Sequence, residues 1–428
     1  MNNSQRMANP VLWLILSLVS GLCMEFYMAK IWSANQPAHF SDLYAPWWGA
    51  HELFLHGRNP YTPTVAHEIQ TVIYGRPTAA TYDGDPSELA GGFAYPLYAA
   101  FLLWPTIFMG FSTVQTLFLF VSIAVTVGTL VMWLRGLHFR APPVQLLTLA
   151  FFTLGSFPVL EGLRLQNLSV IAAGLLAAAV ALLTAEHLTL AGILLAASTF
   201  KPQFIIVLVP WLAIWTVSDW RRRQSLAWSF IASMLLLIGG SEWFMPGWIG
   251  NFLGIAQAYR KYTFGHSVLD VWFTPHAGAF VAAALLLAVL ALCWRYRSNR
   301  ADSPGFFLAI SLVLAATVVV IPTLAPHAQL LLLPAFLCLV RYRSVLWRSM
   351  RLARLALFAV WLLLAWPWTI AAGFVLAAAL LPLNALIPRW ELPLYTSPLL
   401  PVAILLALGC LIRTRTWPAD QPFGTLTP

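Results

Sequence analysis

The residues best placed to do chemistry lie in one polar stretch near the start of the chain. It runs Ser41-Asp42-Leu43-Tyr44, through Trp47, Trp48, His51 and Glu52, to Gly57-Arg58-Asn59-Pro60-Tyr61. Activating a hydroxyl nucleophile needs a carboxylate that accepts the proton as the new bond forms, and Asp42 is the first candidate. Glu52 and Glu68 compete for that role. Asp42 also suits a plainer one, capping a helix that starts near Tyr44 or Ala45. The chain has only three lysines, Lys30, Lys201 and Lys261; every other cationic side chain is arginine. Lys201-Pro202 interrupts an apolar run from Leu190 to Val217. Proline kinks a helix and frees a carbonyl, so a cation there meets a carbonyl, an acid or a phosphate, or else snorkels to an interface. His327 follows Pro322-Thr323-Leu324-Ala325-Pro326, a turn held open by two prolines. Tyr259, Arg260, Lys261, Tyr262 and His266 together suit an anionic or sugar ligand, or lipid headgroups. A phosphate is the simplest partner shared by such cations.

These residues must be carried by membrane helices. The 428-residue chain is 60% hydrophobic and 9% charged, with mean hydropathy +0.78. A soluble domain carries about 25% charged residues, so this composition points to an all-α polytopic membrane protein. The length fits roughly a dozen spans of ~20 residues. The first, from about Val11 to Ala29, reads as a span and not as a cleaved signal. The loop over 30–92 is then extracytoplasmic, with a short helix over 45–56 lying in the interface. Further spans are expected at 94–111, 113–134, 144–160, 168–185, 190–217, 225–240, 277–294, 305–321, 327–340, 355–380 and 398–412. A second extracytoplasmic loop covers 241–276. One domain thus occupies 1–416, followed by a short tail over 417–428, with both termini cytoplasmic. The arginine clusters at Arg221, Arg295, Arg341 and Arg413 then fall inside, as short basic loops should. Arg135 and Arg140 fall outside, against the rule. The turn bearing Glu161, Arg164, Gln166 and Asn167 falls inside, as a polar contact between helices.

Several classes are disfavoured. The net charge of +9 sits in loops between apolar runs, which argues against nucleic acid. Cys23, Cys293, Cys338 and Cys410 all lie in apolar runs and make no disulfide or metal-ligand pattern. No glycine-rich phosphate loop or Ser/His nucleophile pattern stands out, and no cofactor or metal is expected. A nucleotide-sugar enzyme needs a soluble α/β domain for which the chain lacks hydrophilic length. An activated donor would therefore be lipid-linked. A transporter or flippase of a lipid-linked or small solute is the competing reading, but it favours repeat symmetry and paired broken helices at the midplane. Here only Lys201-Pro202 is a midplane candidate and the polar residues crowd one face. A surface-glycan polymerase or ligase would share the lipid-linked donor.

The chain resembles glycosyltransferase family 87, polyprenol-phosphate-mannose-dependent mannosyltransferases with the GT-C fold. The resemblance rests on Asp42 with Tyr44, Gly57-Arg58-Asn59-Pro60-Tyr61, Tyr95-Pro96-Leu97, Gly192 to Lys201-Pro202, and Pro326-His327 leading to Leu330 and Pro334. Two places differ: the family's Gly-Gln-x-Asn turn reads Leu165-Gln166-Asn167, and its Asn-Gln-Ser region reads Gly265-His266-Ser267. The resemblance implies an inverting transfer of mannose from a polyprenyl phosphate to a lipid or glycan acceptor. It places the site on the extracytoplasmic face of a bacterial inner membrane, among membrane lipids. It implies Asp42 as base, and Lys201, His327, Arg260, Lys261 and His266 around the donor phosphate or sugar. Tyr44, His51, Glu52, Arg58, Asn59, Tyr61 and Tyr95 would hold the acceptor or support the loop.

Overall fold

The structure is a computed structural model that describes residues 9–37, 40–77, 86–139, 141–262, 267–321 and 325–414. Every regular element among them is a helix. Six helices are long and apolar enough to cross a membrane: Pro10–Asn35, Phe111–Gly136, Trp220–Phe244, Pro275–Trp294, Arg351–Ala378 and Leu383–Ile412. A seventh crossing results if Pro143–Leu154 and Phe157–Arg164, bent by 60° at their junction, count as one. The remaining apolar helices, Ser169–Thr184, Leu188–Ser198, Leu208–Ser218, Pro304–Val320 and Pro326–Arg341, are shorter than the ~20 residues a bilayer requires. Among the described residues, six or seven helices thus have the length of a full span, against the dozen expected.

Pro304–Val320 is the axis of the bundle. From Pro304 to Val319 every residue is buried. A helix that is apolar on all sides belongs inside other protein, and here its neighbours include Pro275–Trp294, Leu333–Arg341 and Leu399–Ile412. Elsewhere small residues let helices approach closely. Gly21 of Pro10–Tyr27 meets Gly155 beside Pro143–Leu154, where a Cβ on Gly155 would lie 2.7 Å from the Gly21 Cα. Gly192 of Leu188–Ser198 faces the backbone of Trp220–Phe244 in the same way. In an apolar solvent such contacts supply much of the packing force between helices.

The bundle has two chemically distinct ends. Phe111–Gly136 starts beside the turn at Gln166, since Gln115 donates to Gln166 over 3.1 Å, and ends at Arg135 and Leu137, whose carbonyl accepts from Arg341 at 2.7 Å. Ser169–Thr184 also starts at that turn and ends near Glu186, which pairs with Arg300 at 3.4 Å. Leu188–Ser198 returns to the turn, where Lys201 reaches Asn167 at 2.8 Å. Leu208–Ser218 then goes back, and Trp215 donates to the Asn299 carbonyl at 2.9 Å. Residues 190–217 are thus two short helices running in opposite directions with Lys201 at their apex, and not a single span. Residues 94–111 hold only the short helix Ala99–Leu103 and turns, and they do not span. The second of these corrections reverses the direction of Phe111–Gly136. Arg135 then joins Arg223, Arg297, Arg300 and Arg341 at one end. It also moves the turn at 165–167 to the end that carries Asp42.

The close crossing at Gly192 yields a paired expectation. A Cβ there would lie 2.7 Å from the Leu226 carbonyl oxygen and 2.9 Å from the Phe230 nitrogen, both backbone atoms that cannot swing aside. Gly192→Ala should cost about 1–3 kcal/mol, read as a lowered melting temperature in detergent. Gly239→Ala, with nothing within 4 Å of the added methyl, should be neutral or slightly stabilising.

Candidate functional site

The site grows from two backbone turns held against each other. Asp42 donates its N–H to the Leu165 carbonyl at 2.7 Å. Ser41 donates its hydroxyl to the Gln166 side chain at 2.8 Å, and Gln166 donates back to the Gln115 carbonyl at 2.9 Å. Gln166 has φ 54°, a left-handed conformation that a residue with a side chain adopts at a cost of order 1–3 kcal/mol. Those side-chain bonds offset the cost and aim the next residue, Asn167, at the carboxylate.

Asn167 is the centre of the arrangement. Its Nδ2 donates to Asp42 Oδ2 at 2.5 Å, and its Oδ1 accepts from Lys201 Nζ at 2.8 Å and from the Ser169 N–H at 2.8 Å. An ammonium can only donate, so the amide oxygen must face Lys201 and the amide NH₂ must face Asp42. A cation is thereby joined to an anion through one polarised amide. Lys201 is 7% exposed and Asn167 6%, while Asp42 is half-buried. Lys201 Nζ also lies 5.4 Å from the centre of the Tyr95 ring, whose face attracts cations. The helix Tyr44–His56 takes no side-chain cap and its N-cap residue is Leu43, so the Asp42 carboxylate is left for other work.

A second polar pair sits on the same turn. Glu161 Oε2 accepts from the His327 N–H at 2.9 Å and meets His327 Nδ1 at 3.2 Å. Gly162 lets the two segments approach, since a Cβ there would meet His327 Cβ at 3.4 Å. With Nδ1 turned to Glu161, His327 presents Nε2 as its other face. Arg164 is anchored by Glu25 of the first helix.

The other expected site residues divide into groups. Tyr44 is buried, stacked on Trp48 at 6.0 Å and edge-on to Phe111 at 4.8 Å. Tyr61 donates its hydroxyl to the Tyr95 carbonyl at 2.8 Å, and Asn59 Oδ1 accepts from the Tyr61 N–H at 2.9 Å, so the Asn59-Pro60-Tyr61 turn props up the segment bearing Tyr95. His51, Glu52 and Arg58 gather at the far end of Tyr44–His56, away from Asp42. Arg58 donates to Glu52 and to Glu68, each at 2.6 Å, and Trp48 donates to Glu68 at 2.9 Å. Arg260 and Lys261 are exposed on the last turn of Trp248–Tyr262. Their neighbour Tyr259 is close enough to Tyr95 to act on it electrostatically. His266 lies outside the described residues.

Sequence reasoning missed Asn167 as a partner of Asp42. The turn was recognisable as polar, but the span count put it across the membrane from Asp42. A 2.5 Å hydrogen bond leaves no room for that separation.

A family model described as glycosyltransferase family 87 matches residues 93–322, just over half of the chain. Asn167 and Lys201 fall within the matched segment, and Asp42 precedes it. No curated protein and no solved structure matches the chain.

The Arg58 network predicts a pH-dependent stability term. Burial pushes the Glu68 carboxyl up, but hydrogen bonds from Arg58 and Trp48 outweigh it and hold the group below its ordinary range. A carboxyl lowered on folding contributes stability above its unfolded value and loses it as pH falls through the folded one. Arg58→Met should cost about 1–3 kcal/mol near neutral pH. That deficit should shrink as pH drops below about 4.3, the free glutamate value. Denaturation midpoints of the two proteins from pH 7 to pH 3 would show it.

Proposed function

The chain belongs to glycosyltransferase family 87, and from that premise we propose a transfer of sugar from a polyprenyl phosphate to a hydroxyl of a glycolipid or glycan. Asp42 is the general base. The reading rests on one observation: a half-buried carboxylate is joined through the Asn167 amide to the buried Lys201 ammonium. That arrangement aims the carboxylate through Oδ2 and leaves the other oxygen, Oδ1, for the substrate.

The acceptor oxygen attacks the anomeric carbon of the donor. The bond from that carbon to the lipid phosphate breaks, and the phosphate leaves with the bonding pair. The hydroxyl proton passes to Asp42. A single displacement inverts the anomeric centre. Charge growing on the departing phosphate needs cations that are already in place, and this is the larger part of such catalysis. His327 and, from Trp248–Tyr262, Arg260 and Lys261 are the groups proposed to meet it, and the resemblance adds His266. Lys201 is buried behind Asn167, so it acts on the base and reaches phosphate only through that residue. Mannose is the sugar favoured by the family resemblance carried by the motifs between Asp42 and Pro334. A largely apolar, all-helical chain favours a donor that arrives through the bilayer.

Orientation follows from the two ends of the bundle. The end with Arg135, Arg223, Arg297, Arg300 and Arg341 carries the basic excess that marks a cytoplasmic surface. Asp42 lies at the opposite end, which supports chemistry on the extracytoplasmic face of a bacterial inner membrane.

Purified protein supplied with radiolabelled polyprenyl-phosphate-mannose and a panel of acceptors should transfer label. Asp42→Asn should lower kcat by about 10²–10⁴-fold, with KM and the melting temperature unchanged. Full activity in that variant would remove Asp42 from the mechanism. Asn167→Ala leaves the carboxylate in place but unaimed, and should cost about 10²-fold in kcat.

A further inference from the structure

The far end of helix Tyr44–His56 carries three donor atoms that the sugar transfer does not use. Glu52 Oε1 lies 3.2 Å from His51 Nδ1 and 3.1 Å from His56 Nδ1, and all three atoms are within 4.8 Å of one another. We propose that His51, Glu52 and His56 bind a divalent cation of the zinc class, which staples the last turns of this helix where the following loop departs.

The spacing fits such an ion. Zinc binds imidazole nitrogen at about 2.0–2.1 Å and carboxylate oxygen at about 2.0–2.2 Å, in tetrahedral order. Tetrahedral geometry at those lengths puts neighbouring donor atoms roughly 3.3 Å apart. The two nitrogen–oxygen separations are already close to that value. Two imidazoles and one carboxylate form a mixed donor set that suits zinc, whereas calcium and magnesium favour oxygen alone. His56, with its side chain 52% exposed, gives the ion a way in and leaves a fourth position to water.

The surroundings already orient the donors. The His51 ring stacks on Trp48 at 4.9 Å with the planes 8° apart, and Trp48 is held by Glu68. Glu52 is 2% exposed, and its other oxygen is fixed by Arg58. Supporting bonds of this kind are what orient first ligands in metal sites. The charges favour a cation as well. Glu52 and Glu68 carry two negative charges against one on Arg58, and neutral imidazoles add none. Arg58 holds Oε2, so Oε1 is the oxygen turned to the two imidazole nitrogens that would share the ion. The placement gives the ion a structural task. His56 ends the helix, Gly57 turns the chain in the left-handed conformation with φ 63°, and Arg58 to Tyr61 follow.

The test uses the full chain in detergent, with any affinity tag removed and metal stripped by chelator. Zinc titrated by calorimetry should bind at one equivalent per chain and raise the melting temperature. Cobalt in its place should give the visible absorption of a tetrahedral nitrogen–oxygen site. His51→Ala and His56→Ala should each weaken zinc by more than about 10-fold, the least that losing even an outer-shell partner costs. If either variant fails to fold, X-ray absorption on the zinc-loaded native protein decides the matter, with two imidazoles and one carboxylate expected. No zinc binding by the native protein, or equal binding by the double variant, would overturn the proposal. So would an absorption spectrum without imidazole.

Discussion

The hydrogen bonds of one side-chain amide hold the site together. Asn167 accepts from an ammonium and donates to a carboxylate, and the two charges fix which way its amide points. Neither charge would be comfortable alone. Lys201 is enclosed by protein, and a buried ammonium without a partner is costly. The amide gives it an acceptor and passes part of its field to Asp42. The carboxylate thus faces, through one amide, a cation it does not touch.

Much of the fold reads as a means of bringing those three residues together. Asp42 follows the first helix. Asn167 ends the bent pair from Pro143 to Arg164. Lys201 is the apex of two short helices that enter from the arginine-rich end and return to it. A strained left-handed residue, Gln166, sits at the junction and is held by Ser41 and Gln115. Such strain persists where neighbouring contacts over-determine the geometry. The buried helix Pro304–Val320 supports the apex from below, since Pro202–Ile205 and Leu208–Ser218 both pack on it.

Residue type and position were enough to single out Asp42, Lys201 and His327. Their partnerships were not readable. Hydropathy registers how apolar a stretch is and does not register its direction. The run from Leu190 to Val217 is apolar on both sides of Lys201-Pro202, so it looks like one span, yet the break there allows it to double back. The segment 94–111 is apolar enough to look like a span and breaks into turns around Pro96 and Pro105. The second of these misreadings alone put Asn167 across the membrane from Asp42. The one sign of trouble was electrostatic: Arg135 stood on the wrong side of the charge rule, and the structure groups it with the other arginines at one end of the bundle. The pairing of Glu161 with His327 had no local signal at all, because 166 residues separate them.

The central claim is that Lys201 acts on Asp42 through Asn167, and a double-mutant cycle on the transfer rate tests it most directly. Asn167→Ala, Lys201→Met and the double variant would be compared with the native protein, using donor and acceptor at saturation. If the amide carries the lysine's influence, the double variant should be no slower than the slower single one, since the second change removes a link already broken. Losses that add independently, or a Lys201→Met protein that transfers sugar at the native rate, would contradict the account.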